Sequence, residues 1–182
     1  GKDSLAMANE VVESENLFKE SMGGMSGAAR EWSDKLRDTL GLNAYTLRKN
    51  AGTMNVMLQS MGIGEQKAYD MSIALTELSE DMASFYNLNP QDMYAKLQSG
   101  MTGQSMPLKQ IGILIDDHTL KQYAAAAGIK NTTGELSQQE KVLARYAAIM
   151  AQTTASQGDL ARTIDSPANQ LRVLSNTVDQ AK

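Results

Sequence analysis

The residues able to do chemistry are few and scattered. Glu77, Glu80 and Asp81 place three carboxylates within five residues, and Glu77 and Asp81 share a helix face at i, i+4. Such a pair could serve general acid–base chemistry or hold a hard cation through oxygen ligands. It lies opposite the apolar residues from Met71 to Phe85, so it reads as a solvated acidic face. His118, the one histidine, follows Asp116 and Asp117 at an expected helix start. Neighbouring helical side chains diverge, so adjacency does not orient the imidazole, and a triad would need a nucleophile such as Ser105 brought in by the fold. The expectation is a surface histidine in a capping region. Gly62-Ile63-Gly64 resembles the start of a dinucleotide loop, but Lys67 takes the next glycine position and no strand precedes it. Gly100 and Gly103 lack the Lys-Ser/Thr of a phosphate loop. Both glycine pairs read as helix terminators. The twelve methionines could line an adaptable groove, but at helical spacing they fit a core better.

With no cysteine in the chain, disulfides, thiolate nucleophiles and cysteine-containing metal sites are excluded, and a single histidine excludes His-pair sites. No residue is assigned as catalytic, cofactor-binding or metal-ligating, no cofactor is expected, and the chain is expected not to be an enzyme. Seventeen Lys and Arg against 21 Asp and Glu give a net charge of −4. No basic stripe is present, so nucleic-acid binding is not expected. No apolar run approaches the ~20 residues that span a bilayer, so no membrane segment is expected in this piece. Aromatic residues are only 5%, which argues against a sheet, while abundant Ala, Leu, Met, Gln and Lys favour helix.

The elements that must position these groups are helical almost throughout. Leu5, Ala8, Val11, Val12, Phe18 and Met22 fall near one face of a first helix that ends at Gly23-Gly24. A second runs from about Gly27 to Leu40, with Gly41 as a left-handed cap and Leu42 as the apolar residue that follows it. Leu47, Ala51, Met54, Leu58 and Met61 mark a third helix closed by Gly62. Ala68, Met71, Leu75, Leu78, Met82 and Phe85 mark a fourth. Asn89-Pro90 opens a short helix to about Ser99. Residues 100–115 read as a loop carrying a buried apolar segment of Leu108, Ile111, Ile113 and Leu114. Asp116 or Asp117 caps a helix ending at Gly128, and Ser137 to Glu140 forms a capping box for one carrying Val142, Tyr146, Ile149 and Thr153. Gly158-Asp159 kinks or restarts it. Ser166-Pro167 opens a last helix with Leu171, Leu174, Val178 and Ala181 on one face, still in phase at Lys182 without a stop signal. The expectation is an all-α, compact bundle of seven or eight short helices. Residues 1–182 are expected to form a single module of a longer chain: an N-terminal, protruding helix over 1–24, a helical core over 25–165, and a truncated helix over 166–182.

From the fourth helix onward the order of short blocks is distinctive. Leu75-Thr76-Glu77-Leu78 leads to Asp81-Met82-Ala83-Ser84-Phe85-Tyr86-Asn87. Lys96-Leu97-Gln98-Ser99-Gly100, Thr102-Gly103 and Pro107-Leu108-Lys109 follow, then Ile111-Gly112-Ile113. Later come Gln138 to Lys141, Ala144-Arg145-Tyr146, Gln157-Gly158-Asp159-Leu160-Ala161-Arg162-Thr163 and Ser166-Pro167-Ala168-Asn169-Gln170. This series resembles a segment of the tail tape measure protein of long-tailed phages and prophages. It covers residues 64–176 most fully and 1–63 more thinly, where Glu13-Ser14-Glu15, Ser21-Met22-Gly23 and Leu40-Gly41-Leu42-Asn43 fit. None of the blocks is a catalytic motif. One departure is Gln104-Ser105-Met106, where similar proteins carry acidic residues, which bears on any polar contact that loop makes in relatives.

The resemblance implies a structural role. Proteins of this kind set tail length, lying along the tail lumen while tube subunits polymerise around them, and later leave ahead of the DNA. It implies self-association and contacts with tail tube and tail assembly chaperone proteins. The implied location is the virion tail lumen, with the host cytoplasm before assembly. The alternative is a module acting in host-envelope penetration during DNA injection. The breaks at Gly23-Gly24, Gly41, Gly62, Pro90, Gly100, Gly103, Pro107, Gly128 and Pro167 rule out one uninterrupted ruler helix. Short helices are unstable alone and must pack on each other. The first and last helices are expected to be the ends of flanking shaft helices running back to back.

Overall fold

The structure, a computed structural model, describes residues 15, 16, 18–129 and 134–164. Residues 18–22 are helical and lead through a 3-10 turn, Gly23–Met25, into α1 (Ser26–Leu40). There follow α2 (Ala44–Ser60), α3 (Glu65–Tyr86), α4 (Pro90–Met101) and the one-turn α5 (Met106–Lys109). The last described elements are α6 (Asp117–Ala126), α7 (Gln138–Gln152) and the short α8 (Asp159–Arg162). The fold is all-α, and there is no strand among the described residues.

Local chemistry sets most of these boundaries. Gly41 ends α1 at φ 68°, its N–H on Arg37 O and the N–H of buried Leu42 on Leu36 O, the bonding that satisfies the last carbonyls of a helix. The Asn89 side chain accepts from the N–H groups of Gln91 and Asp92 at the start of α4, with Pro90 in the first position. Asp116 caps α6 through the Thr119 N–H. Ser137 and Glu140 complete a reciprocal capping box on α7, and Gly158 at φ 80° restarts the chain as α8.

At the centre lies α3, whose 22 residues rise ~33 Å. It packs on α2, α4 and α8, while α6 pairs with α7 and α4 touches α5 and α7. The main core joins Met54, Leu58, Met71, Leu75, Leu78, Met82, Met93, Leu97, Met101, Leu108, Val142 and Ile149. Two satellite clusters flank it, one around Phe18, Met22, Ala29 and Ala51, the other around Leu42, Leu47 and Leu160. A helix with neighbours on several sides must bury polar positions too. Here the hydroxyls of Ser72, Thr76 and Ser79 donate to the carbonyls of Tyr69, Ser72 and Thr76, so their burial leaves no hydroxyl unsatisfied.

Four expectations are corrected. Phe85, placed on the apolar stripe by its spacing, is 46% exposed, because the last turn packs through buried Met82 and Ala83 and through Ser84, which meets Thr163, before the helix ends at Tyr86. Residues 100–115 are not a plain loop. Gly100 and Met101 finish α4, and α5 forms inside the segment. Gly100 is therefore no terminator: a Cβ there would overlap Leu108 Cδ1, so glycine permits α4 and α5 to touch. In the same segment Ile115 is buried in place of Leu114, which is exposed. The expected helix over 166–182 and most of the one over 1–24 lie outside the described residues.

Candidate functional site

The three carboxylates of α3 are not a solvated face. Glu77 Oε1 accepts a hydrogen bond from Trp32 Nε1 at 2.6 Å, tying α1 to α3. Glu80 is only 9% exposed. Asp81 reaches the start of α8, where Oδ2 accepts from the Gly158 N–H at 2.9 Å and Oδ1 from the Leu160 N–H at 3.2 Å. Gly158 has no side chain to cap the helix it opens, so Asp81 supplies the cap from 77 residues away. Burial pushes the Asp81 carboxyl above its ordinary value, against the pull of the two backbone donors and Arg162 and with the repulsion of Asp159. Glu77 and Asp81 act as joints between helices.

Asp116 accepts from the Thr119 hydroxyl and N–H, which hold its carboxyl below the ordinary range. His118 is exposed, with Nε2 3.3 Å from Gln122 Nε2. The structure brings no nucleophile to it: Ser105 lies exposed ahead of α5. Gly62 ends α2 at φ 91° and Gly64 precedes α3, while Gly103 turns at φ 103° beyond α4. Among the described residues no group of three or more His, Asp or Glu side chains gathers as metal ligands. No described helix is long and apolar enough to cross a membrane. Met22, Met54, Met71, Met82, Met93 and Met101 are buried core residues.

Further joints escape sequence reading. Gln152 brackets Leu114, accepting from its N–H at 2.9 Å and donating to its carbonyl at 2.8 Å. That pairing satisfies an irregular segment while Ile113 and Ile115 turn inward. Arg145 Nη1 donates to Met101 O at 3.2 Å, placing a cation at the carbonyl end of α4, where the helix dipole favours it. Burial lowers its pKa. A Cβ on Gly103 would sit 2.8 Å from Arg145 Nη2, so the turn needs glycine both for its φ and for this guanidinium. Tyr94, buried, donates its hydroxyl to Asn50 O at 2.8 Å, and desolvation raises its pKa.

What faces outward for contact is apolar. Phe85 and Tyr86, stacked edge-to-face with centroids 5.0 Å apart, stand exposed with Leu88 at the end of α3, and Met106 is 60% exposed at the start of α5. Leu88 also lines an open groove of about 400 Å³ with Asp92, Ala95, Lys96, Ser99 and Pro107. This is the candidate contact surface. The chain matches no protein-family model, no curated protein and no solved structure with which it was compared.

Proposed function

We propose that this chain is a structural module of a phage or prophage tape measure protein, a folded helical unit that contributes to tail length and to assembly of the tail tube. One observation carries the reading: the blocks that resemble that family coincide with the joints of the fold. Leu75 to Asn87 is the buried centre of α3 through to its C-cap, where Asn87 adopts φ 54°, a conformation asparagine tolerates better than most residues. Lys96 to Gly100 and Pro107 to Lys109 meet at the Gly100–Leu108 contact. Gln157 to Thr163 is the segment that Asp81 caps. Blocks serving shape are what a structural protein needs, and none of them gathers a reactive centre. The partners proposed are other copies of the chain, the tail tube and the tail assembly chaperones, and the location is the tail lumen.

Site-specific cross-linking gives a direct test. A photo-reactive amino acid encoded in place of Met106, which is 60% exposed on the contact surface, is activated in purified particles of the parent phage. Cross-links to tube subunits or to another copy within intact tails are expected. Particles with normal tails from which the segment is missing contradict the proposal.

A further inference from the structure

We propose that the N-terminal helical segment is an exchangeable arm, and that the cleft it fills accepts the same segment from a second copy of the chain.

The segment folds back on its own chain. Glu15 lies 2.6 Å from Arg30 Nη2 and 2.7 Å from Arg48 Nη2. In one straight helix residues 15 and 30 would stand ~22 Å apart, so the chain reverses between them. The reversal rests on Gly23 at φ 52°, at the head of the 3-10 turn Gly23–Met25. Residues 18–22 and 26–40 are helical on either side. Rotating Gly23 into the right-handed region, with Met25 (φ −99°, ψ 4°) relaxing to helical values, would fuse them into one helix and carry the arm away.

The arm's seat is separate from the main core. Phe18 and Met22 are buried with Ala29 and Ala51, covered by Trp32, Tyr69 and Ile73, while the main core closes without them. Gly52 permits the close approach of arm and α2: a Cβ there would lie 2.8 Å from Ser21 Oγ and 3.6 Å from Phe18 Cα. Asn55 Nδ2 donates to Ser21 O at 2.7 Å, but Asn55 Oδ1 is buried with no partner among the described residues. The seat is thus specific in shape and charge yet held by few groups. Its occupant is already known, because the arm fits it. A copy with its arm extended offers both the arm and the vacated cleft, and two such copies close reciprocally about a twofold axis.

Gly23→Ala tests the hinge. Nothing crowds a Cβ there, the nearest atom being Glu65 Oε1 at 3.7 Å, so the variant differs in backbone preference alone. Alanine disfavours positive φ and favours a continuous helix, which together shift the balance towards the extended arm by roughly 30- to 150-fold. At equal concentration the variant is expected to show a larger dimer fraction by size-exclusion chromatography with light scattering. An unchanged monomer overturns the proposal. A charge-reversal pair gives a second test that does not depend on the hinge. The 182-residue chain carrying both Arg30→Glu and Arg48→Glu repels its own arm, since these are the two arginines that meet Glu15, and the chain carrying Glu15→Arg is repelled by its own cleft. Refolded together, each arm finds an opposite charge only in the other copy's cleft. A one-to-one dimer is expected from the mixture, and its loss is expected when Gly52→Leu blocks the cleft of the copy carrying Arg30→Glu and Arg48→Glu. A mixture with no more dimer than either variant alone overturns the proposal, as does a dimer indifferent to Gly52→Leu.

Discussion

Asp81→Ala removes the cap of α8 and separates two elements distant in sequence. The carboxylate accepts from Gly158 N–H at 2.9 Å and Leu160 N–H at 3.2 Å, and Leu160 behind it is buried with Leu42 and Leu47. Hydrogen bonds to a charged acceptor contribute about 1.5–3 kcal/mol each, so two would sum to about 3–6 kcal/mol. Burying the carboxylate costs part of that, as its raised pKa shows, and the outcome falls near the upper end of measured capping losses, about 2 kcal/mol. Asp81→Asn keeps one acceptor but turns an NH2 group towards the other donor, while relieving the buried charge. Its loss is expected to be about half as large. The sign of the pH dependence follows from the upward shift. The folded state holds the Asp81 proton more tightly than the unfolded chain, so protonation of this group adds an increment of stability, beyond the capping bonds made at neutral pH, that is full below the ordinary value of 3.8. It is lost as pH rises through the raised value. Asp81→Asn abolishes that slope. Urea unfolding of the three proteins between pH 3 and 7, roughly the carboxylate range, measures both effects, and amide exchange at Gly158 and Leu160 locates them. Asp81→Ala within about 0.5 kcal/mol of the parent, the level of an ordinary surface change, would refute the reasoning. So would unchanged exchange at those two amides.

Gly100→Ala forces a Cβ into Leu108 Cδ1. Overpacking costs about 1–3 kcal/mol against a helix gain of ~1 kcal/mol, so Tm is expected to fall, and Leu108→Ala in the same chain should relieve the clash and make the pair non-additive. Glu77→Ala leaves Trp32 Nε1 without its acceptor and is expected to cost about 1–3 kcal/mol; Trp32 is the only tryptophan, so its emission reports the change directly. At Glu15, desolvation raises the pKa but the hydrogen bonds from Arg30 and Arg48 outweigh it and hold it low. Its stabilisation is present above the ordinary carboxylate value and lost as pH falls through the lowered one, so Glu15→Gln should flatten the acid limb of a stability–pH curve.

What could be read in the sequence was chemistry confined to one turn. Asn89-Pro90, Asp116, the Ser137–Glu140 box and Gly41 each complete their bonds within a few residues, so composition and spacing suffice. The joints were not legible because their partners are distant: Asp81 with Gly158, Trp32 with Glu77, Gln152 with Leu114. Which carboxylate meets solvent depends on where another helix arrives, and periodicity along α3 carries no such information. The same cause hides the buried Ser72, Thr76 and Ser79, whose polarity suggests a wet face although each bonds to its own helix. Gly100 misleads for a related reason. Glycine within a helix pattern suggests an end, but here it answers a side chain eight residues away that returns only through the turn at Gly103.

The most direct test of a folded, length-setting module is the change in tail length when the codons for residues 18–164 are removed in frame from the parent phage. As one uninterrupted helix that stretch would span ~220 Å. Packed as described, it is about 40 Å across by the size scaling of compact domains, close to the ~33 Å of α3. Electron microscopy of the tails is expected to show shortening of about 40 Å. Shortening near ~220 Å would mean that the segment works as an extended ruler, and unchanged tails on particles that no longer infect would assign it to genome delivery instead.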